Sequence, residues 1–234
     1  MLTVNEMFAT LQGEGRHLGV RSFFLRLQGC HRKCVWCDTP YTWDGSEKGR
    51  KMDAAHVFGQ LIRSDARLLV LTGGEPLLHQ CNEELVELLR IARELSIGVE
   101  VETAGDLLPT DDMVEAVDYW NLSPKLAHAC NKGEKPIDPD RLKTWGERLG
   151  SRVCLKFVVR GHGTAEALEA DLKEIDDLVE AAGFEPSAVW LMPEGVNATN
   201  QCAAMAPVFE AAVKRGFNAT PRAHILAWGD ERKR

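Results

Sequence analysis

Residues 28–41 read QGCHRKCVWCDTPY, with Cys30, Cys34 and Cys37 spaced C-x3-C-x2-C. Three thiolates in eight residues are a metal-binding loop more readily than a disulfide framework, because an odd total of seven cysteines leaves this triplet clustered. Zinc takes four protein ligands, so a zinc site here needs His31 or a distant cysteine as the fourth. An iron–sulfur cluster on three thiolates keeps one iron open. The residues alone leave both readings standing.

The surroundings of that loop read as strand–helix alternation. RSFFLRLQG (21–29) is a strand that runs into it. Further strands are expected at 66–74, 98–103, 118–124, 151–159, 187–195 and 220–228. Apolar positions at helical spacing predict helices at 53–64 with Asp53 as cap, 82–98 from Asn82 to Gly98, 138–150, 164–183 from Thr164 to Gly183, and 198–216, bent or restarted at Pro207. NKGEKPIDPD (131–140) reads as a surface loop. Alternation at this spacing implies right-handed crossovers and a parallel sheet. The unusual segments QGC-HRKC-VWC, TGGEP, ETAG, SPK and MPEG each follow a strand, so they gather on one rim.

The chain has 234 residues, enough for a sizeable core, and no composition shift marks a boundary. One domain spanning 1–234, with short terminal extensions, is expected. A net charge of −7 argues against direct nucleic-acid binding. The N-terminus MLTVNEMFATLQGEG lacks the pattern of a signal peptide, and no apolar run reaches the ~20 residues that span a bilayer. The expectation is a cytoplasmic protein without membrane contact.

The C-x3-C-x2-C loop followed by TGGEP (72–76) resembles the radical S-adenosylmethionine (SAM) enzymes. TLQGEG, FLRLQGC, CDTPYTWDG, VETAG, SPK, LKFVV, WLMPEG and RAHILAWG together resemble the 7-carboxy-7-deazaguanine synthases, from about residue 5 to 230. That resemblance implies an abridged, incomplete (β/α) barrel with mostly parallel strands. It implies ring contraction of 6-carboxy-5,6,7,8-tetrahydropterin with loss of ammonia, for queuosine and other 7-deazapurines. The implied cofactors are a [4Fe–4S] cluster on Cys30, Cys34 and Cys37, SAM on the open iron, and Mg²⁺. The implied partners are an electron donor such as a flavodoxin and a second copy of the chain in a homodimer.

The resemblance also assigns residues. Leu11, Gln12, Gly13, Glu14, Arg26, Thr72 and His224 would meet the substrate, with Glu14 on the guanidine-like edge of the pterin and Arg26 on its carboxylate. Trp36, Cys37, Asp38, Gly74, Glu102, Ser123, Pro124 and Lys125 would face SAM, with Glu75 bracing the glycine loop. Thr39 would hold Mg²⁺, with Asp38 ranked second. Arg26 also has a bland reading, an internal salt bridge. Met192 stands where some relatives carry glutamine, and cannot donate to a pterin oxygen. Ala223 replaces a larger apolar residue. The tail DERKR is expected to be mobile and off the substrate, His224 to end a strand, and Cys154 and Cys202 to be small core residues. Two rivals predict otherwise: a glycyl-radical activase would need a protein partner, and a zinc-binding module would need no buried Arg26.

Overall fold

The computed structural model describes residues 1–234. Nine strands form one open sheet: β1 (Leu2–Leu11), β2 (Arg21–Leu27), β3 (Arg50–Met52), β4 (Leu68–Gly73), β5 (Gly98–Thr103), β6 (Tyr119–Leu122), β7 (Val153–Val159), β8 (Val189–Pro193) and β9 (Asn218–Ala219). Their order is β3-β1-β2-β4-β5-β6-β7-β8-β9, so β3 and β9 are unjoined edges. From β2 to β9 every pairing is parallel; β1 pairs antiparallel with both β2 and β3. The architecture is the expected incomplete, mostly parallel barrel with an antiparallel margin added.

Seven α-helices connect the strands: α1 (Ala54–Ser64), α2 (Glu83–Glu94), α3 (Asp111–Ala116), α4 (Pro139–Leu149), α5 (Ala165–Ala182), α6 (Ala198–Arg215) and α7 (Ala223–Trp228). The apolar faces of the first six cover the outer side of the sheet in one continuous core, while α7 lies against the cavity. Local chemistry sets several ends. Asn82 and Thr164 accept from the backbone N–H of Leu85 and Ala167, and Gly183 and Gly216 close their helices in the left-handed conformation. Asp53 stands at the start of α1, but its side chain makes no capping bond.

Four expectations need correction. The strand β1 was not foreseen, because buried Glu6 interrupts its apolar alternation. The helix read at 82–98 stops at Glu94; Ser96 turns left-handed, and Gly98 opens β5 instead of closing the helix. The α6 helix runs unbroken from Ala198 through Pro207, and Cys202 on it is exposed, not a core residue. The last stretch, 220–228, is not a strand. The edge pairing ends after Ala219, Pro221 brings no N–H to extend a ladder, and residues from Ala223 onward wind into α7.

Candidate active site

The strand ends of the sheet surround a cavity of about 550 Å³. That is within the range of pockets for small ligands and cofactors. Every residue singled out in the site lines it except Glu75, which is buried, and Pro124, which is buried in the turn between Ser123 and Lys125. The cavity has two parts, a rim of loops and a charged floor.

The rim starts with the cysteine loop after β2. Gly29 takes a positive φ of 103° and donates to Thr42 O at 2.8 Å, folding the loop back on itself. All three cysteines are free and half-buried, and Trp43 Nε1 donates to Cys37 Sγ at 3.3 Å. Burial, with Glu75 and the other two cysteines adding, pushes the Cys30 thiol up to about 11; burial raises Cys34 as well. Coordination to a metal reverses such a shift by deprotonating the sulfur. No group of three or more His, Cys, Asp or Glu side chains is placed to hold a single metal ion. His31 bonds Asp106 at 2.9 Å instead of completing a zinc site.

Arg32, inside the cysteine loop, is buried and grips Asp106 with two bonds, Nε to Oδ2 at 2.5 Å and Nη2 to Oδ1 at 2.6 Å. This ties the loop to the segment after VETAG. Burial opposes the charge on Asp106, but Arg32 and His31 prevail and hold its carboxyl at about 2.

The glycine loop after β4 lies against the cysteine loop, backbone on backbone. A Cβ on Gly74 would stand 2.2 Å from Gly29 O and 2.8 Å from Cys30 Cβ. Glu75 braces this arrangement as expected. It is 1% exposed, and its carboxylate accepts from Leu77 N at 3.0 Å, Thr103 Oγ1 at 2.7 Å and Ala104 N at 3.0 Å, while its own N–H donates to Gly29 O. Beside it, Lys125 donates to Ser123 Oγ at 2.9 Å and sits 5.0 Å over the Trp36 ring. His128 backs that indole at 6.0 Å. Three thiols facing a cavity, a cradle that only glycine leaves open, and an ammonium near an aromatic platform fit a thiolate-held cluster with a small zwitterionic nucleoside ligand.

The floor is polar and largely buried. Glu14 pairs with Lys156 through Oε2 and with Arg222 at 3.0 Å through Oε1. Burial alone would raise its carboxyl; the two cations outweigh burial and hold it well below the usual range. Arg222 is engaged further by Asp38 and by Gly195 O at 3.1 Å. Gln12 donates to Glu100 at 2.9 Å and Glu102 at 3.2 Å, and His17 meets Glu100 at 2.5 Å. Burial pushes Glu102 up, opposed by Lys156 and reinforced by Glu14 and Glu100.

His224 reaches the floor from α7, not from a strand; its Nδ1 would be 2.2 Å from a Cβ on Gly13, so the LQGEG loop packs directly on the imidazole. Arg26 pairs with Glu6 at 3.2 Å, the internal salt bridge of its bland reading. Thr39 Oγ1 lies 3.8 Å from Cys37 Sγ.

The tail also departs from expectation. Residues 230–234 line the cavity. Arg232 donates to Glu6 at 2.6 Å and Glu47 at 2.8 Å and stacks 3.9 Å over Tyr41, whose hydroxyl also donates to Glu6. The sequence reading missed Lys156, Arg222, Arg32 and Glu6. Lys156 carried a visible signal, a single charge in an otherwise apolar strand.

The Radical SAM superfamily model matches residues 25–126. The chain is 38% identical over 231 residues to the 7-carboxy-7-deazaguanine synthase of Pyrobaculum aerophilum, covering 98% of this chain and 96% of that one. It is 31% identical to the 7-carboxy-7-deazaguanine synthase of Rhodopirellula baltica, covering 99% and 88%. Among solved structures, QueE from Escherichia coli shares the fold, with a TM-score of 0.69 at 24% identity over 95% of this chain and 94% of that one.

Proposed function

Because the chain belongs to the 7-carboxy-7-deazaguanine synthase family, and so is a radical SAM lyase of queuosine-type biosynthesis, we propose that the rim holds its cofactors and the floor its substrate. The substrate is 6-carboxy-5,6,7,8-tetrahydropterin, which the enzyme contracts to 7-carboxy-7-deazaguanine with loss of ammonia. The observation that carries this division is the pairing of two different chemistries in one cavity, free thiols above and paired charges below.

Cys30, Cys34 and Cys37 would hold a [4Fe–4S] cluster. Trp36, Asp38, Gly74, Glu102, Ser123 and Lys125 would face SAM. When bound, the cluster and SAM supply the one-electron chemistry that removes and returns a hydrogen atom at the substrate. The chain's own residues bind, orient and shield. Leu11, Gln12, Gly13, Thr72 and His224 would bound the pterin, and Glu14 would accept from its N–H edge.

Arg26 lies beside the cavity with one partner, Glu6, and would turn its remaining donors to the substrate carboxylate. Thr39 is favoured over Asp38 for Mg²⁺ because Asp38 is already neutralised by Arg222. An ion held by one protein oxygen, waters and substrate is ordinary for Mg²⁺. The reading takes residues 1–234 as one catalytic domain, supported by a single sheet running from Leu2 to Ala219. It also takes a flavodoxin-like electron donor, a homodimer and a cytoplasmic setting from the family resemblance. No helix is long and apolar enough to cross a membrane.

The test is anaerobic purification and reconstitution, with iron, sulfide and zinc counted per chain. About four irons with sulfide, and a reduced-cluster spin signal that changes on adding SAM, are expected. Turnover of the carboxy-tetrahydropterin should follow when SAM and a reductant are supplied. Zinc without sulfide overturns the cofactor reading, and a competent cluster that leaves the pterin untouched overturns the substrate.

A further inference from the structure

Lys156 is the least explained charge in the molecule. It lies mid-strand in β7, where Leu155, Phe157 and Val159 face the main core and Lys156 and Val158 face the cavity. It is 5% exposed. Its ammonium carries three donors. One goes to Glu14 Oε2; the other two make no further hydrogen bond to protein, although the buried carboxylates of Glu102 and Glu100 lie near enough to act on its charge. Val158 and Met192, paired across β7 and β8 nearby, also line the cavity and offer no side-chain oxygen. A buried ammonium with unspent donors is costly unless something else accepts them.

Arg222, the other cation on Glu14, differs. It is tied to Glu14, Asp38 and Gly195 O and serves as a strut. Of the two cations on Glu14, Lys156 is the one left with donors for a ligand.

A pterin presents, side by side, a 2-amino group, an N3–H and a 4-oxo oxygen. Two donors and an acceptor call for two acceptors and a donor. The carboxylate of Glu14 has lone pairs beyond those taken by its two cations, and the adjoining ammonium has N–H groups to spare. Resting on the substrate class proposed above, we infer that Lys156 is a specificity-determining residue that donates to the 4-oxo oxygen of the pterin while Glu14 accepts from the neighbouring N–H groups. The pair selects a 2-amino-4-oxo ring and rejects a ring carrying an amino group at position 4, which would set a donor against a donor.

The test is calorimetric binding to the reconstituted holoenzyme with SAM, without reductant. The probes are 6-carboxypterin and 2,4-diaminopteridine-6-carboxylate, which differ at position 4 and, because the 4-amino ring carries no proton on N3, also in one of the N–H groups offered to Glu14. Wild type should prefer the 4-oxo ligand by roughly ten- to hundredfold, the worth of a bond to a charged donor. In Lys156→Met the preference should shrink through weaker binding of the 4-oxo ligand alone, leaving the share that comes from N3–H on Glu14, with iron content and SAM binding unchanged. Lys156→Arg, which keeps the charge and donors, should restore part of it.

Equal weakening of both ligands in Lys156→Met would overturn the inference, since Lys156 would then act only by orienting Glu14. A wild type that binds both ligands equally would overturn it without any variant having to fold. A wild type that binds neither would instead bring down the pterin reading, and this inference with it.

Discussion

The rim and the floor of the cavity are built by opposite means. The rim is short-range: three cysteines within eight residues, a glycine loop pressed on them, and backbone atoms making most of the contacts. The floor is long-range: Glu14 meets Lys156 across 142 residues and Arg222 across 208. The rim is held by the shape of the backbone, so it fails when a side chain is added. The floor is held by balanced charge in a place with little water, so it fails when one charge is removed.

The sharpest way to break this contrast is Gly74→Ala. The new Cβ meets a carbonyl oxygen, which cannot rotate away as a side chain can. Overpacking of this kind costs about 1–3 kcal/mol, but the local effect is larger, because the cysteine loop and the glycine loop must part. Loss of SAM cleavage is expected, together with loss of the SAM-induced change in the cluster's spin signal. Normal cleavage in this variant would mean that the rim tolerates side chains and is not a backbone cradle.

Next in its effect on function, though larger in its effect on stability, is Glu14→Gln. It leaves Lys156 and Arg222 buried with a neutral partner, and breaking a buried pair costs about 3–5 kcal/mol. A fall in thermal stability of that order is expected with the iron content intact. The pH dependence follows from the sign of the shift. The folded Glu14 carboxyl lies below its ordinary 4.5, so its contribution is complete above that value and is lost as pH falls beneath it. Wild type should therefore lose stability on acidification more steeply than Glu14→Gln in denaturant titrations. Parallel acid limbs would show that the floor is not held by this charge.

The smallest effect belongs to Arg232→Ala. This side chain is 45% exposed, and exposed pairs contribute about 0–1 kcal/mol. Glu6 keeps Arg26 and Tyr41 as partners without it. Melting should barely move, while proteolysis after Lys233 or within the tail should quicken as the strap over the cavity loosens. A loss as large as that of Glu14→Gln would place the tail with the floor and not with the surface.

How far the sequence could be read follows the same division. The cysteine spacing, TGGEP and the periodicity of six strands and five helices were visible because each is a property of neighbours along the chain. Asn82, Thr164 and Gly183 act at helix ends as their local patterns indicate. The misreadings lie where distant parts decide. In β1, Glu6 hid the strand, since its buried carboxylate is acceptable only with Arg26, Tyr41 and Arg232 around it. The 220–228 segment suited a strand by residue type, but the sheet offers it no further pairing after Ala219, and helix α7 forms instead. The tail looked free because its one local pair, Arg234 with Glu231, ties it to nothing else; its distant partners are Glu6 and Glu47.

The sequence by itself determined the chemistry of the rim: three thiolates at a cluster-binding spacing, the glycines that let a ligand approach, and the alternation that lays strand ends side by side. Only the tertiary structure decided the floor. It matched Glu14 to two cations, gave Arg26 a partner in Glu6, brought His224 in on a helix, and left Lys156 with donors facing the cavity. The physical reason is range. Coordination geometry and backbone turns are set within a few residues, whereas the cost of a buried charge depends on which other charges folding brings within reach.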